Sequence, residues 1–302
     1  MDILIDRARA GRDAELRGLA LGSIAVVIFS LTLPATRAAV PELGAIFVGL
    51  GRVLVASAIA ATTLLFVRTR LPSRSELRSL LIVGAGVVLG FPLLTSIAMR
   101  DTPAASGAIV VGLLPLATAV FGAWRNRERP SLGFWVMAAA GSALVVTFAL
   151  REAGGMSLHA GLALLAAVLL AAMGYAEGGR LARTLGGWQT IAWALVVSAP
   201  VALAAWIAVL PHPELGAVSL AGWAGFAYVS VFSQFLGFIP WYQGLSLGGV
   251  ARVSQLQLFQ VFLTFLFSAV LLNEVISLEM GVFACAVALC VWWGRKMPIE
   301  NR

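Results

Sequence analysis

Long apolar runs alternate with short polar interruptions along the whole chain, and the runs share one length. A helix that crosses the hydrocarbon core of a bilayer needs about 20 mostly apolar residues. Ten segments meet that requirement: 17–38, 43–67, 77–99, 103–124, 130–150, 158–181, 187–210, 217–244, 249–272 and 275–296. The expected fold is an all-α integral membrane protein with ten transmembrane helices. The loops between the runs are short, so whatever the chain does must be built from the helices themselves.

The pattern is also written twice. "GLALGSIAVVIFSLTLPATR", Gly18 to Arg37, and "GLALLAAVLLAAMGYAEGGR", Gly161 to Arg180, open on the same four residues and stop on arginine at the same spacing, and Gly44 answers to Gly187 at the same offset. Near the end of each half, "RERPSL" from Arg127 to Leu132 lies opposite "NEVISL" from Asn273 to Leu278, with Glu128 facing Glu274. These correspondences predict two five-helix repeats, 17–150 and 158–296, between an N-terminal segment 1–16 and a tail 297–302, both cytoplasmic. Because five is odd, the second repeat enters the membrane from the opposite side. Such an inverted repeat is the signature of a transporter with a site near the midplane; a duplication retained only for folding is the plainer alternative.

Composition fits a bilayer as solvent. The 302 residues are 60% hydrophobic and 12% charged, whereas a soluble domain is about half apolar and about a quarter charged. A net charge of +7 on a soluble protein would raise the question of nucleic acid, but here the arginines form short clusters between apolar runs, so no nucleic-acid partner is expected and the charge is assigned to topology. One side collects Arg7, Arg9, Arg12 and Arg17, then Arg68, Arg70, Arg74 and Arg78, then Arg125, Arg127 and Arg129, then Arg183, and finally Arg295, Lys296 and Arg302. The other side keeps Arg37, Arg100 and Arg151. Positive charge is retained inside, which places both termini in the cytoplasm of a multi-pass protein of a bacterial inner (plasma) membrane. The opening "MDILIDRARAGRDAELR" lacks the apolar core and cleavage site of a secretory signal.

An aromatic residue eight positions before a basic one in the first helix (Phe29, Arg37), an arginine within the second (Arg52), and a glutamate before the last helix of each half (Glu128, Glu274) resemble the EamA-type drug/metabolite transporter superfamily over almost the whole chain. Phe29-Ser30 stands where that family usually has a tryptophan-glycine pair. Within the superfamily the chain looks most like bacterial amino acid exporters, including the aromatic amino acid branch. The resemblance implies a small-molecule substrate, a lipid bilayer as surroundings, no cofactor, and a monomer or loose homodimer.

Enzymatic chemistry has little to rest on. The two histidines, His159 and His212, lie in different outer loops, so neither a metal cluster nor a nucleophile pair is expected. Cys285 and Cys290 share one apolar segment at a spacing that points them apart on a helix, which predicts apolar packing rather than a disulfide. "GAGVVLG", Gly84 to Gly90, has the wrong spacing for a dinucleotide fingerprint. Its glycines, with Gly18 and Gly22, Gly174 and Gly178, and Gly244 and Gly248, predict close helix packing.

Intramembrane polar residues are costly, so their helical phase is informative. Ser254, Gln257, Gln260, Thr264 and Ser268 fall within an arc of about 120° on one helix. Ser230, Gln234, Phe238 and Trp241 share a face of the preceding one, and Ser23, Ser30, Pro34 and Arg37 a face of the first. Each face either lines a wet cavity or forms a buried hydrogen-bonded seam. If a cavity, then Ser30, Gln234, Phe238, Trp241, Ser254, Gln257, Gln260 and Thr264 bind substrate, amides and hydroxyls taking its polar ends and the rings its side chain. Arg52 either meets a substrate carboxylate or, as the more economical expectation, bonds neighbouring helix carbonyls. Glu177 is expected to pair with Arg180 three residues on. Pro34, Pro92, Pro115 and Pro240 supply kinks that can act as hinges.

No titratable group is expected at midplane, which favours facilitated diffusion of small zwitterions by alternating access over proton coupling. A proton-coupled exporter of hydrophobic cations using Glu177 is the rival within transport; a membrane enzyme or scaffold is the rival outside it.

Overall fold

The computed structural model describes residues 2–126, 129–151, 156–209, 213–297 and 299–300, and among them the chain is helical almost throughout. The first half holds α1 (Asp2–Ser30), α2 (Thr32–Leu43), α3 (Ala45–Val67), α4 (Arg74–Val83), α5 (Phe91–Ala98), α6 (Ala104–Val111), α7 (Leu114–Asn126) and α8 (Leu132–Arg151). The second holds α9 (Leu158–Leu185), α10 (Gly187–Val209), α11 (Leu220–Tyr228), α12 (Phe238–Gly248), α13 (Val250–Val253), α14 (Gln257–Leu272) and α15 (Leu278–Lys296). Two-residue strands β1 (Arg129–Pro130) and β2 (Ile299–Glu300) pair antiparallel. Eight stretches among the described residues are long and apolar enough to cross a membrane. The remaining two expected segments, 130–150 and 275–296, are occupied by α8 and α15. Arg127, Glu128 and His212 lie outside the described residues.

Several long stretches are broken partway, and four of the breaks are followed by a proline. Proline has no N–H to give the carbonyl four residues back. Pro34 follows the turn at Leu31 that separates α1 from α2, and Pro115 follows Gly112-Leu113 between α6 and α7. Before Pro92 the chain widens into a π-helical segment, Gly84–Gly90, and before Pro240 into another, Val229–Leu236. The stretch expected as one helix from 249 to 272 is three pieces, α13, a 3₁₀ turn Ser254–Leu256, and α14.

Tight joints fall at glycines in a left-handed backbone region that other residues avoid. Gly44, between α2 and α3, has φ 82° and ψ 148°, and Gly186, between α9 and α10, has φ 94° and ψ 151°. Gly187, the residue that the repeat spacing sets opposite Gly44, is the first of α10.

Helices pair across the two halves. α3 packs on α10, α6 on α14 and α8 on α15; α1 and α2 pack on α12 and α11, while α9 packs on α5 and the 84–90 segment. Small residues permit these approaches. A Cβ on Gly18 would fall 2.8 Å from the Gly248 Cα, and one on Gly86 would fall 3.2 Å from the Gly174 Cα and closer still to the Leu170 carbonyl. The glycine pairs serve packing, as their spacing predicts, and the 84–90 run is π-helical rather than a strand-to-helix turn.

Candidate functional site

Polar groups converge where the broken helices meet. Arg52 sits in the third turn of α3 with 1% of its surface exposed. Its Nη2 donates to the Ser233 hydroxyl at 2.8 Å, and Ser233 shares a further 2.8 Å hydrogen bond with the Thr32 hydroxyl. Ser233 belongs to the π-helical segment 229–236 and Thr32 to the first turn after the Leu31 break, so both local irregularities place a hydroxyl beside the guanidinium. The expected carbonyl partners of Arg52 are absent among the described residues: its Nε and Nη1 have no acceptor.

Beside this group lies a layer of rings. Phe29 contacts Phe238 at 5.0 Å and Trp241 at 6.0 Å between centroids, and Tyr175 contacts Trp241 at 5.3 Å and Phe238 at 6.0 Å. Tilted and edge-on contacts of this kind add to what burial alone provides. Tyr175 also neighbours Gln257 and Arg52, linking the ring layer to the polar group.

The residues expected to bind substrate divide into two sets. Ser30 and Thr264 are tied to the protein itself: Thr264 Oγ1 donates to the Ser30 carbonyl at 2.9 Å, and the Ser30 hydroxyl donates to the Val26 carbonyl at 2.6 Å. Pro34 has no N–H for the Ser30 carbonyl, and Thr264 supplies the donor, as a hydrogen-bonded seam would. Ser230 likewise donates to Phe226 within its own helix at 2.6 Å. Gln234 is half engaged, its Nε2 donating to the Val87 and Val88 carbonyls at 3.3 Å each while Oε1 has no partner. In contrast Gln260 Oε1 and Trp241 Nε1 are buried without partners, and the Gln257 amide lies beside the Tyr175 hydroxyl. Ser254 is fully buried at the 3₁₀ turn. Burial without satisfied hydrogen bonds is expensive, so Gln260 Oε1 and Trp241 Nε1 have capacity left for a polar guest.

The ends of the helices are tied by charge. At one end Glu177 accepts from Arg180 at 2.5 Å, as its spacing predicts, and also from Arg125 Nε at 2.8 Å, while Arg180 Nη2 reaches Ser79 at 2.9 Å. Arg252 pairs with Glu15 at that same end. Outside the spanning stretches, Arg70 forks onto both oxygens of Glu76 at 2.6 and 2.8 Å, which raises its pKa above the usual arginine value. At the opposite end Arg37 donates to the carbonyls of Met99 and Arg100 at 2.7 Å each. Glu274 there takes the N–H groups of Ala104 and Ala105 at 2.9 Å each, capping α6, whose own N-cap is Pro103 and supplies no side-chain acceptor.

Sequence reasoning missed Thr32, Tyr175 and Ser233. Ser233 could not be placed because a π-helical segment changes the angular advance per residue. Tyr175 carries the one legible signal, a polar-tipped ring in the middle of an otherwise small-residue stretch.

A solved crystal structure shares the fold with a TM-score of 0.65 at 19% identity, covering 91% of this chain and 95% of that one. The uncharacterized transporter YdeK of Bacillus subtilis (strain 168) is 44% identical over 275 residues, covering 91% of this chain and 96% of the relative. The EamA-like transporter family matches residues 16–149 and again 159–293. A membrane-embedded helical chain matched twice over nearly its whole length, with a polar centre wrapped in broken helices, belongs to the EamA-like transporter family.

Proposed function

We propose that this EamA transporter is a ten-helix carrier that exports small zwitterionic metabolites, most plainly amino acids, from the cytoplasm by facilitated alternating access. In this reading residues 17–150 and 158–296 are inverted repeats in a bacterial inner membrane, with both termini cytoplasmic. The observation that carries the substrate class is the buried centre, where one arginine, neutral amides and aromatic rings stand together and no carboxylate among the described residues pairs with that arginine. Such a set suits a guest with a small net charge and two polar ends.

The inversion draws support from packing. Exchanging the helices of one half for their counterparts in the other turns α1 on α12 into α9 on α5, and α7 on α9 into α14 on α1, and all four contacts occur. The matched glycine joints and the two π-helical segments, each followed by a proline, point the same way. Facilitated diffusion is favoured because both Glu177 oxygens are taken by arginines, which leaves that acid as a structural tie rather than an open proton acceptor.

The test is uptake of labelled amino acids into proteoliposomes, over a panel of side chains, with and without an imposed pH gradient. Equilibration without a gradient, and no accumulation with one, is expected. Accumulation driven by the gradient would replace the facilitative mechanism by proton coupling. No uptake of any amino acid would remove the substrate class and leave the family standing.

A further inference from the structure

We infer that Arg52 is the docking point for a carboxylate on the transported molecule, aimed by Ser233 and Thr32. The inference rests on the carrier reading and deepens it. Other arginines with assigned partners in this protein show what a structural arginine looks like here. Arg37 serves two backbone carbonyls, and Arg70, Arg125, Arg151, Arg180 and Arg252 each meet a glutamate. Each of these side chains keeps at least part of its surface exposed. Arg52 is 1% exposed and holds a single neutral hydroxyl.

The fork of the guanidinium makes the remaining capacity specific. Nη2 carries two hydrogens, one directed to the side shared with Nε and one to the side shared with Nη1. Ser233 accepts from Nη2 alone, and Nε and Nη1 are without acceptors. Whichever Nη2 hydrogen Ser233 takes, a complete two-hydrogen edge is left, and such an edge matches the two oxygens of a carboxylate. Because Ser233 is itself held by Thr32 at 2.8 Å, the plane of the guanidinium is anchored from two helices. A lone cation suits a guest with one negative charge; a phosphate would call for a second cation. Gln260 Oε1 and Trp241 Nε1, buried without partners, are then available to the rest of the guest.

The experiment measures thermal stabilisation of detergent-solubilised full-length protein by leucine, phenylalanine, threonine and acetate, each beside its carboxamide. At least one carboxylate is expected to stabilise the wild type where its carboxamide does not. In Arg52→Met the concentration for half-maximal effect should rise about tenfold to a hundredfold, the range expected for losing hydrogen bonds to a charged group. Ser233→Ala should give a smaller rise, since it disturbs the aim and keeps the charge. Arg52→Lys retains charge without the fork, so it should also weaken carboxylates, and it carries the test if Arg52→Met does not fold. Equal effects of acids and amides, an unchanged response in the Arg52 variants, or no response to any carboxylate would each overturn the inference. Uptake reads the carrier hypothesis separately. Amino acids that cross the membrane with an unaltered Arg52→Lys response would sink Arg52 alone, and Arg52-dependent binding of acetate without amino acid uptake would sink the amino acid reading alone.

Discussion

Pro34 and Thr264 lie 230 residues apart in the chain, yet each accounts for the other. The proline leaves the buried Ser30 carbonyl without its helical donor, and the threonine hydroxyl from α14 fills that role at 2.9 Å. Pro92 and Gln234 repeat the arrangement: the carbonyls of Val87 and Val88, which a residue with an N–H at position 92 could serve, accept instead from the Gln234 amide. This makes a quantitative prediction. Thr264→Val should cost about 1 kcal/mol of unfolding free energy in detergent, the typical scale of an interhelical hydrogen bond in membrane proteins. The same substitution made on Pro34→Ala should cost much less, because alanine restores an N–H for the Ser30 carbonyl. A double-mutant cycle by thermal or denaturant unfolding checks it, and additive costs would mean that the threonine acts through packing rather than through that carbonyl.

Helix elements were legible to different depths, and the reasons are physical. Hydropathy and length marked out each apolar run, because a bilayer imposes a length that composition must satisfy. Prolines marked where runs would break. What sequence could not supply was the register after a break, since a π-helical turn has no distinctive residue code and shifts every later side chain around the axis. Ser233 was therefore missed, the choice between cavity and seam for Thr264 stayed open although its hydroxyl bonds the Ser30 carbonyl, and the Arg125 partner of Glu177 was hidden by its separation in the chain. The arc on α14 survived because Gln257, Gln260, Thr264 and Ser268 follow the 3₁₀ turn in regular helix, and all are buried. Glycine spacing was readable for the same reason, and it gives a test at this scale. Gly86→Ala would press a methyl onto the Leu170 carbonyl and within 3.2 Å of the Gly174 backbone, driving α9 off the 84–90 segment at an expected loss of about 1–3 kcal/mol. Gly281→Ala meets nothing within 4 Å and should stabilise α15 by about 0.5–1 kcal/mol. Melting both variants in one detergent separates close approach from helix propensity; equal shifts would sink the packing argument.

Across the whole molecule, carboxylates of one half hold the other half at both ends. Glu177 of α9 ties Arg125 of α7 at one end, and at the other Glu274 ties the start of α6 while Glu42 takes both the N–H and the hydroxyl of Ser219, at 2.5 and 2.7 Å. Alternating access, as proposed, requires the two ends to separate in turn, so these ties must loosen alternately and weakening one set should shift the population toward opening at that end. A single reporter can read both directions. In a background with Cys285 and Cys290 replaced, Gln257→Cys places a thiol at a buried central position, and an impermeant thiol reagent is applied to either face of oriented membrane vesicles. Glu177→Gln should speed labelling from the face that carries Glu177 and slow it from the other, whereas Glu42→Gln with Glu274→Gln should do the reverse. The reciprocal slowing is the decisive part, because it follows only if opening one end closes the other. If both variants speed labelling from both faces, the ties merely hold the bundle together, and the carboxylates belong to stability rather than to the transport cycle.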